Sequence, residues 1–262
     1  MPMTYSQGSR RVQAVDRAFD VLNCLAEGPQ RISDIAKATN SSKATVHHIL
    51  ATLEARRIVA RAHDSFRYRL AWGLYELGTK VLRDAGLNSL IAPSLSALAE
   101  KVGETTLFNI EDNGTSLVLM RGESTTSSLV ANNAPGKRVP LHATASGKVM
   151  LAFKPGAFEA LPASPRQFTD HTVTTRSALQ RQIAHVRERG FATCWDEHEI
   201  ALSSISVPVL NGHGEFIGAV TIAGPSGRLN RHNYRTYLDA LRLTQREIHD
   251  QTGGTSSFAA TD

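Results

Sequence analysis

The sequence predicts an α+β protein with an N-terminal winged helix-turn-helix domain, a linker helix and a C-terminal α/β domain. Three observations support this fold class. Apolar residues recur at helical spacing over the first third, two basic strands follow directly, and strands alternate with helices from Thr105 onward. With 262 residues, the chain is long enough for two domains that each have a core.

The positive charge of the chain is concentrated near its start. Residues 1–85 hold 13 lysines and arginines against 8 aspartates and glutamates, an excess of 5 that equals the net charge of the whole chain. Such asymmetry predicts that the first domain meets a polyanion and that the second does not.

Composition also excludes several protein classes. The two cysteines, Cys24 and Cys194, are too few for a disulfide scaffold or a four-cysteine metal site. No stretch approaches the roughly 20 apolar residues that cross a bilayer, and no apolar segment follows the basic N-terminus. We therefore expect a soluble cytoplasmic protein with no cofactor and no membrane partner.

The first 55 residues predict three helices in the order of a helix-turn-helix unit. The second helix is expected to begin with Ser33 as its cap, and the third with Ser41 or Ser42. The first helix stops at Gly28-Pro29, and its expected buried face is Val12, Val15, Phe19 and Leu22. The expected core face of the third helix is Val46, Ile49, Leu50 and Leu53.

Residues 58–70 predict the wing of a winged helix. An apolar run, a polar turn at residues 63–65 and a second run with alternating arginines are typical of a basic β-hairpin. We assign residues 10–72 to the winged helix-turn-helix domain. Residues 73–88 are interpreted as a linker helix that forms a dimer through the apolar face Leu74, Leu77, Val81 and Leu82.

Residues 89–250 predict a mixed domain of helices and strands. The Asn113-Gly114 pair predicts a tight hairpin between two strands. A small-residue helix after residue 143, a polar helix that ends at Gly190, a second strand pair and a final amphipathic helix follow. Residues 251–262 are predicted to form a disordered tail.

The start of the third helix is a candidate DNA-reading edge. It carries hydrogen-bonding groups beside small alanines, which would let the helix approach bases in the major groove. A solvated helix face is the alternative, but the preceding helix, the basic hairpin and the local charge favour DNA binding. The expected DNA-binding residues are Ser41, Ser42, Lys43, Ala44, Thr45, His47 and His48, with Arg61, Arg67 and Arg69 of the wing for phosphate or minor-groove contacts.

Patterns for catalysis or metal binding are weak. Residues 144–148, TASGK, lack the first glycine and the spacer of a phosphate loop. His198, within the acidic run Asp196–Glu199, could ligate a metal, although a solvated loop or a polar pocket rim is the alternative. Cys194 could be a reactive thiol or a small pocket or core residue. Because no nucleophile has a matched base and no residues show metal-ligand spacing, the sequence predicts neither an enzyme nor a metal site.

Six segments, in order, resemble the IclR family of bacterial transcription regulators between about residues 12 and 250. They are QAVDRAFDVLNCLAEG, SDIAKATNSSKATVHHILATLE, FRYRLAWGLYELG, PGKRVPLHATASGKVMLAF, VRERGFATCWDEHE and SISVPVLNGHGEFIGAVTIAGP. The resemblance implies a winged-helix DNA-binding domain, a dimerising linker helix and a GAF-like effector-binding domain. It also implies homodimers or tetramers on operators near catabolic genes, and an effector pocket formed by Ala145, Ser146, Gly147, Cys194, Ser204, Thr221 and Ala223.

The chain departs from the family pattern at three positions. His48 stands where the recognition helix often has arginine, and Cys194 where the pocket often has an acidic residue. Arg57 stands where a glycine often ends the recognition helix, which predicts a left-handed backbone at an unfavourable residue. The effector of the better-known small-acid sensors is therefore not assumed for this chain.

We interpret the chain as a sequence-specific DNA-binding transcription regulator whose second domain binds a small metabolite. The implied pocket offers hydroxyls, a thiol and small apolar walls, with no fixed cation among those side chains. This lining predicts an aromatic or short apolar carboxylic acid, held partly by helix N-terminal amides. Two other classes remain open: an enzyme that uses Cys194 or the Asp196–Glu199 region, and a ligand-free architectural DNA-binding protein.

Overall fold

The protein is described here by a computed structural model that covers residues 12–62, 66–84, 87–125, 133–211 and 213–252. The chain divides into two compact units, one up to Asp84 and one from Ala85. Within these ranges, no helix has the length and apolar character needed to cross a membrane.

The first unit is a winged helix-turn-helix fold. Its elements are α1 (Gln13–Ala26), β1 (Gln30–Arg31), α2 (Ile32–Ala38), α3 (Lys43–Ala55), β2 (Val59–Arg61), β3 (Arg67–Leu70) and α4 (Trp72–Asp84). The three strands form an antiparallel sheet in the order β1-β3-β2. The wing hairpin is therefore present as predicted, its turn at residues 63–65 lies outside the described residues, and β1 is an additional strand that the sequence pattern did not reveal.

The apolar face of α1 differs from the prediction. Val21 and Leu25 are buried in the helical core, whereas Val12, Val15 and Phe19 are 62%, 51% and 61% exposed. The small three-helix core covers only the C-terminal half of the helix, so the apolar stripe nearer the N-terminus is not covered by the described residues of this unit. On α4, Leu74 is half-buried while Leu77 and Val81 are exposed; the Leu82 side chain lies outside the described set.

The start of α2 and the end of α3 differ in how they are capped. Ser33 does not cap α2, because Arg31 occupies the N-cap position and makes no side-chain cap. Helix α3 ends in a Schellman motif, in which the Ile58 N–H donates to the Leu53 carbonyl and the Arg57 N–H donates to the Glu54 carbonyl, both at 2.9 Å. The motif requires a left-handed residue after the C-cap, and Arg57 takes that conformation with φ of 58°.

The second unit is a six-stranded antiparallel sheet with helices on both faces. Its elements are α5 (Leu87–Val102), β4 (Thr105–Asp112), β5 (Thr115–Gly122), β6 (Arg138–Pro140), α6 (Ala145–Phe153), α7 (Arg176–Arg189), β7 (Ala192–Trp195), β8 (Leu202–Leu210), β9 (Phe216–Pro225) and α8 (Tyr234–Thr252). The strand order is β6-β5-β4-β9-β8-β7. As predicted, Asn113 and Gly114 form the β4-β5 turn, both with positive φ.

Successive side chains along the strands point to opposite faces of this sheet, and helices pack on both faces. Thr106 donates a buried hydrogen bond to the Leu95 carbonyl of α5 at 2.8 Å, so α5 covers one face. On the other face, α6 and α7 form the main core together with Ala192, Cys194 and Ala219. A cavity forms on this second face, where the sheet meets the start of α6.

Element boundaries differ from the predictions at three places. Helix α4 ends at Asp84 and α5 begins at Leu87, so the predicted linker 73–88 includes the end of one helix and the beginning of the next. Helix α8 reaches Thr252, which makes the first two residues of the predicted tail helical; residues 253–262 lie outside the described ranges. Strand β6 was not predicted, because its three residues are too short to show a pattern.

Candidate functional sites

The start of α3 is built by local hydrogen bonds. Ser42 caps the helix by accepting from the Thr45 N–H at 3.1 Å, and the two hydroxyls lie 2.9 Å apart. Ser41 donates to the Thr39 carbonyl at 3.3 Å. These three hydroxyls are therefore engaged by the turn itself, and Lys43 and Ala44 are the exposed side chains of the first helical turn.

The outward face of α3 is the one that helical spacing predicts. Val46 and Leu50 are fully buried, while His47, His48 and Ala51 are exposed. The two imidazole rings lie 6.1 Å apart at an angle of 69°. Their donors and acceptors therefore point away from the core.

A basic groove runs from α3 to the wing. Among the described residues it is lined by four basic or imidazole side chains and five others: Arg31, Lys43, His47 and Arg61, with Ile32, Ser33, Ala44, Phe66 and Tyr68. The structure thus brings Lys43, Ala44, His47 and Arg61 together. Arg31 was missed in the sequence because it lies in β1, which showed no strand pattern.

Side chains of the wing strand β3 alternate between its two faces, and this alternation exposes the arginines. Tyr68 is buried in the helical core, so its neighbours Arg67 and Arg69 project from the opposite face of β3 and are exposed. The Arg61 guanidinium lies over the Phe66 ring, 5.1 Å from its centroid. Phe66 is 75% exposed, so the wing carries an aromatic side chain beside its cations.

The second candidate site is the cavity of the C-terminal unit, with about 460 Å³ of empty volume. Its apolar walls come from Leu107, Val118, Val139, Leu202 and Ala223. Its polar lining comes from Asn109, Asn133, Thr144, Ser146, Cys194, His198, Ser204 and Thr221. Concave, mostly apolar cavities with a few convergent polar groups are typical of small-molecule sites.

Strand register explains why distant residues meet in this cavity. Cys194 of β7 pairs with Ser204 of β8, which pairs with Ala223 of β9. The three side chains therefore stand side by side across adjacent strands, at the separation of directly opposed cross-strand pairs. Thr221 lies two residues before Ala223 and on the same face of β9. Its hydroxyl lies 2.9 Å from the Ser206 hydroxyl and donates to Asn109 Oδ1 at 3.4 Å.

Only part of the predicted α6 segment reaches the cavity. Ser146 lines it and shares a buried hydrogen bond with Ser116 at 3.0 Å. Ala145 is fully buried in the core and does not line it. Gly147 does not line it either. A Cβ there would lie 2.3 Å from the Leu141 backbone, so this glycine lets the start of α6 pack closely against that residue. Thr144, which the sequence analysis missed, lines the cavity and caps α6 by accepting from the Gly147 N–H at 3.2 Å.

The acidic run after β7 is not a simple solvated loop. Glu197 is buried and forms an ion pair with the buried Lys148 of α6. Asp196 accepts a hydrogen bond from Ser226 at 2.5 Å, and Glu199 is exposed. Within the described part of the chain, no group of three or more histidine, cysteine or acidic side chains lies close enough to hold a metal. Lys148 is the lysine of the TASGK segment, and this buried ion pair engages its ammonium group.

Cys194 and His198 both line the cavity, and their side chains offer it different chemical groups. The Cys194 thiol donates to the Ala143 carbonyl at 3.1 Å, and burial raises its pKa to about 11. It is therefore a protonated lining group and not a reactive thiolate. Burial lowers the pKa of His198, and the positive charge of Lys137 lowers it further. His198 enters the cavity because the loop after β7 turns back through Asp196, whose φ is 58°.

Comparison with known proteins places both units in one family. The IclR helix-turn-helix domain matches residues 14–63, and the bacterial transcriptional regulator IclR C-terminal domain matches residues 79–250. The glycerol operon regulatory protein of Streptomyces coelicolor is 33% identical over 85% of this chain and 89% of its own. The DNA-binding transcriptional repressor YiaJ of Escherichia coli is 28% identical over 93% and 89%.

A solved structure supports the fold. It is an IclR homologue from Microbacterium hydrocarbonoxydans in complex with 4-hydroxybenzoate. This chain superposes on it with a TM-score of 0.79 and 22% identity, over 93% of this chain and 100% of the other.

Proposed function

This chain belongs to the IclR family of bacterial transcription regulators, and we propose that a small carboxylic acid in the C-terminal cavity modulates its binding to an operator. It is a transcription regulator with a helix-turn-helix DNA-binding domain, and its relatives are regulators and not enzymes. The proposal concerns the effector, the operator-binding residues, the oligomeric state and the controlled genes.

The DNA-binding surface is proposed to comprise the outward face of α3 and the wing. Lys43, Ala44, His47 and His48 would face base edges, with Arg61, Arg67 and Arg69 on phosphate or in the minor groove. Ser41, Ser42 and Thr45 would orient the helix, since their hydroxyls are engaged locally. Arg31 joins this set because it lines the same groove as Lys43 and Arg61.

The observation that carries the effector proposal is the cavity lining itself. Hydroxyls of Ser146, Ser204 and Thr221 face apolar walls in this cavity, which is the kind of lining that binds compact organic ligands. Its edge lies at the first turn of α6, whose positive dipole end favours a carboxylate. An aromatic or short apolar acid fits this lining better than a sugar acid, which needs many more polar partners. The 4-hydroxybenzoate held by the Microbacterium homologue belongs to the same chemical class.

The proposed oligomeric state of the regulator is a homodimer or a tetramer. The exposed apolar residues of α1 and α4 need cover that the described part of the first unit does not supply. Two copies would place two α3 helices on a pseudo-palindromic operator in the cytoplasm, with half-sites one helical turn or a multiple apart. Control of an adjacent catabolic operon follows from the effector class.

Calorimetry of the full chain tests the effector proposal. Benzoate and 4-hydroxybenzoate are expected to bind, butyrate more weakly, and gluconate not at all. Ser204→Leu and Thr221→Leu should each abolish binding because leucine fills the cavity, while the exposed Ser177→Leu is the matched control. Binding of gluconate alone, or binding that survives both cavity substitutions in folded protein, would contradict the proposal.

A further inference from the structure

His198 is the titratable side chain of the cavity whose ring nitrogens have no hydrogen-bond partner among the described residues. Its imidazole lines the cavity and is half-buried. Within the described residues, no side chain or backbone group makes a hydrogen bond to either ring nitrogen. By contrast, the other buried histidine nearby, His142, donates from Nε2 to the Arg166 carbonyl at 2.8 Å. A half-buried imidazole with two unpaired nitrogens leaves a hydrogen-bonding capacity that a ligand can satisfy.

The ring of His198 is nevertheless held in place. It packs edge-on against Phe168, with 5.0 Å between ring centroids, and Phe168 in turn lies 5.7 Å from the His142 ring. The preceding residue, Glu197, is anchored by the buried Lys148. His198 is therefore presented to the cavity by a fixed loop and a packed aromatic neighbour, which is the arrangement that a specific contact requires.

The charged groups around His198 disfavour its protonation in the free protein. Lys137, from the segment before β6, and His142, from the segment before α6, act against the charged imidazole; Glu199 on its own loop favours it. Burial is the largest effect, and together these lower the pKa of His198. In the free protein near neutral pH the ring is therefore uncharged.

We propose that His198 recognises the carboxylate of the effector and takes up a proton from solvent when the acid binds. This inference rests on the proposed function, because it assigns the acid-binding residue of that same cavity. A carboxylate next to the imidazole stabilises its charged form, so the bound state holds one proton more than the free state. The pocket residues that the family resemblance implies include no cation, and His198 supplies one that appears only with the ligand.

The expected pH dependence follows from linkage. The complex binds more protons than the free protein at pH values between the lowered pKa of free His198 and its higher pKa in the complex. Affinity for the acid should therefore fall as pH rises through this window, by roughly tenfold per pH unit at most. The Cys194 thiol does not contribute, because its raised pKa lies far above the window.

Calorimetry on the full chain tests this. Titration with 4-hydroxybenzoate at neutral pH, in buffers of different ionisation enthalpy, measures proton uptake by the wild type without any substitution. Uptake of a fraction of a proton, approaching one inside the window, is expected. His198→Asn should remove both the uptake and the fall in affinity with pH. The exposed His171→Asn, which does not line the cavity, should leave both unchanged.

The outcomes separate the two proposals. If 4-hydroxybenzoate, benzoate and butyrate all fail to bind the wild type, the proposed function is wrong and the role of His198 falls with it. If an acid binds without proton uptake, or if His198→Asn keeps the uptake, the acid site stands and the role of His198 is overturned.

Discussion

Gly73 donates a hydrogen bond from its N–H to the carbonyl of Arg57 at 3.0 Å, and this contact fixes the start of α4 against the end of α3. A Cβ at residue 73 would lie 2.5 Å from the same carbonyl oxygen, so only glycine fits. Arg57 is itself held in the left-handed conformation by the Schellman motif. The recognition helix therefore ends at a strained residue whose carbonyl anchors the next helix.

Replacing Arg57 by glycine should stabilise the first unit. An L-residue in the left-handed region costs roughly 1–2 kcal/mol, and glycine relieves it. Urea unfolding of the full chain should show a gain of about 1 kcal/mol in the N-terminal transition. The neighbouring Arg56→Gly is the matched control, because Arg56 has a φ of −92° and glycine there should cost about 0.5–1 kcal/mol. Equal effects of the two substitutions would contradict this assignment of strain.

Local rules predicted much of this fold. The helical spacing gave α3 with its buried Val46 and Leu50, and Asn113-Gly114 gave the β4-β5 turn. The burial of α1 was predicted wrongly, because periodicity identifies an apolar stripe and not what covers it. Val12, Val15 and Phe19 form such a stripe and remain exposed in the first unit.

The cavity could be predicted only in part. Ser204, Thr221 and Ala223 came from family resemblance, and strand register brings them together with Cys194. Asn109 and Thr144 were not assigned to it, and His198 was expected only in a solvated loop or at a polar pocket rim, since no local pattern relates β4, the α6 cap and the loop after β7. The burial of the Lys148–Glu197 pair was missed for the same reason: both partners are charged, and only the tertiary fold encloses them.

The Lys148–Glu197 pair should show strong coupling. Lys148→Met or Glu197→Leu alone leaves the other, buried charged group without its partner, which typically costs about 3–5 kcal/mol. Lys148→Met combined with Glu197→Leu should cost much less than the sum. A double-mutant cycle on the unfolding of the C-terminal unit measures this difference. Additive single and double effects would show that the two side chains do not depend on each other.

The wing arginines should provide affinity with little sequence preference. Arg67→Ala and Arg69→Ala are expected to weaken binding to all duplexes and to reduce the salt dependence by about one counterion each. His48→Ala should instead change the preferred sequence, with roughly 1–3 kcal/mol per lost base contact. Arg181→Ala, an exposed arginine of α7, is the control and should change neither property. Fluorescence anisotropy across a salt series measures both the affinity and the sequence preference. Losses of affinity at Arg67 and Arg69 that depend on the duplex sequence would contradict the assignment.

The exposed apolar face of α4 should mediate self-association. Leu77→Asp and Val81→Asp place charges on residues that are 55% and 69% exposed in the single chain. Both should shift the protein from dimer or tetramer toward monomer in sedimentation at about 10 µM, without unfolding it, because neither side chain belongs to the core. Leu243→Asp, at another exposed leucine, is the control. A wild-type chain that sediments as a monomer would contradict the dimer.

Operator binding with and without the acid tests the central proposal most directly. The full chain is used to select a duplex from a random library, and the affinity for that duplex is measured with and without saturating 4-hydroxybenzoate. The acid should change the dissociation constant by about 5-fold to 150-fold, the usual range of coupling between two sites, and Ser204→Leu should bind the duplex normally but lose the response. An unchanged operator affinity in protein shown by calorimetry to hold the acid would contradict the proposal and favour a DNA-binding protein whose second domain does not regulate it.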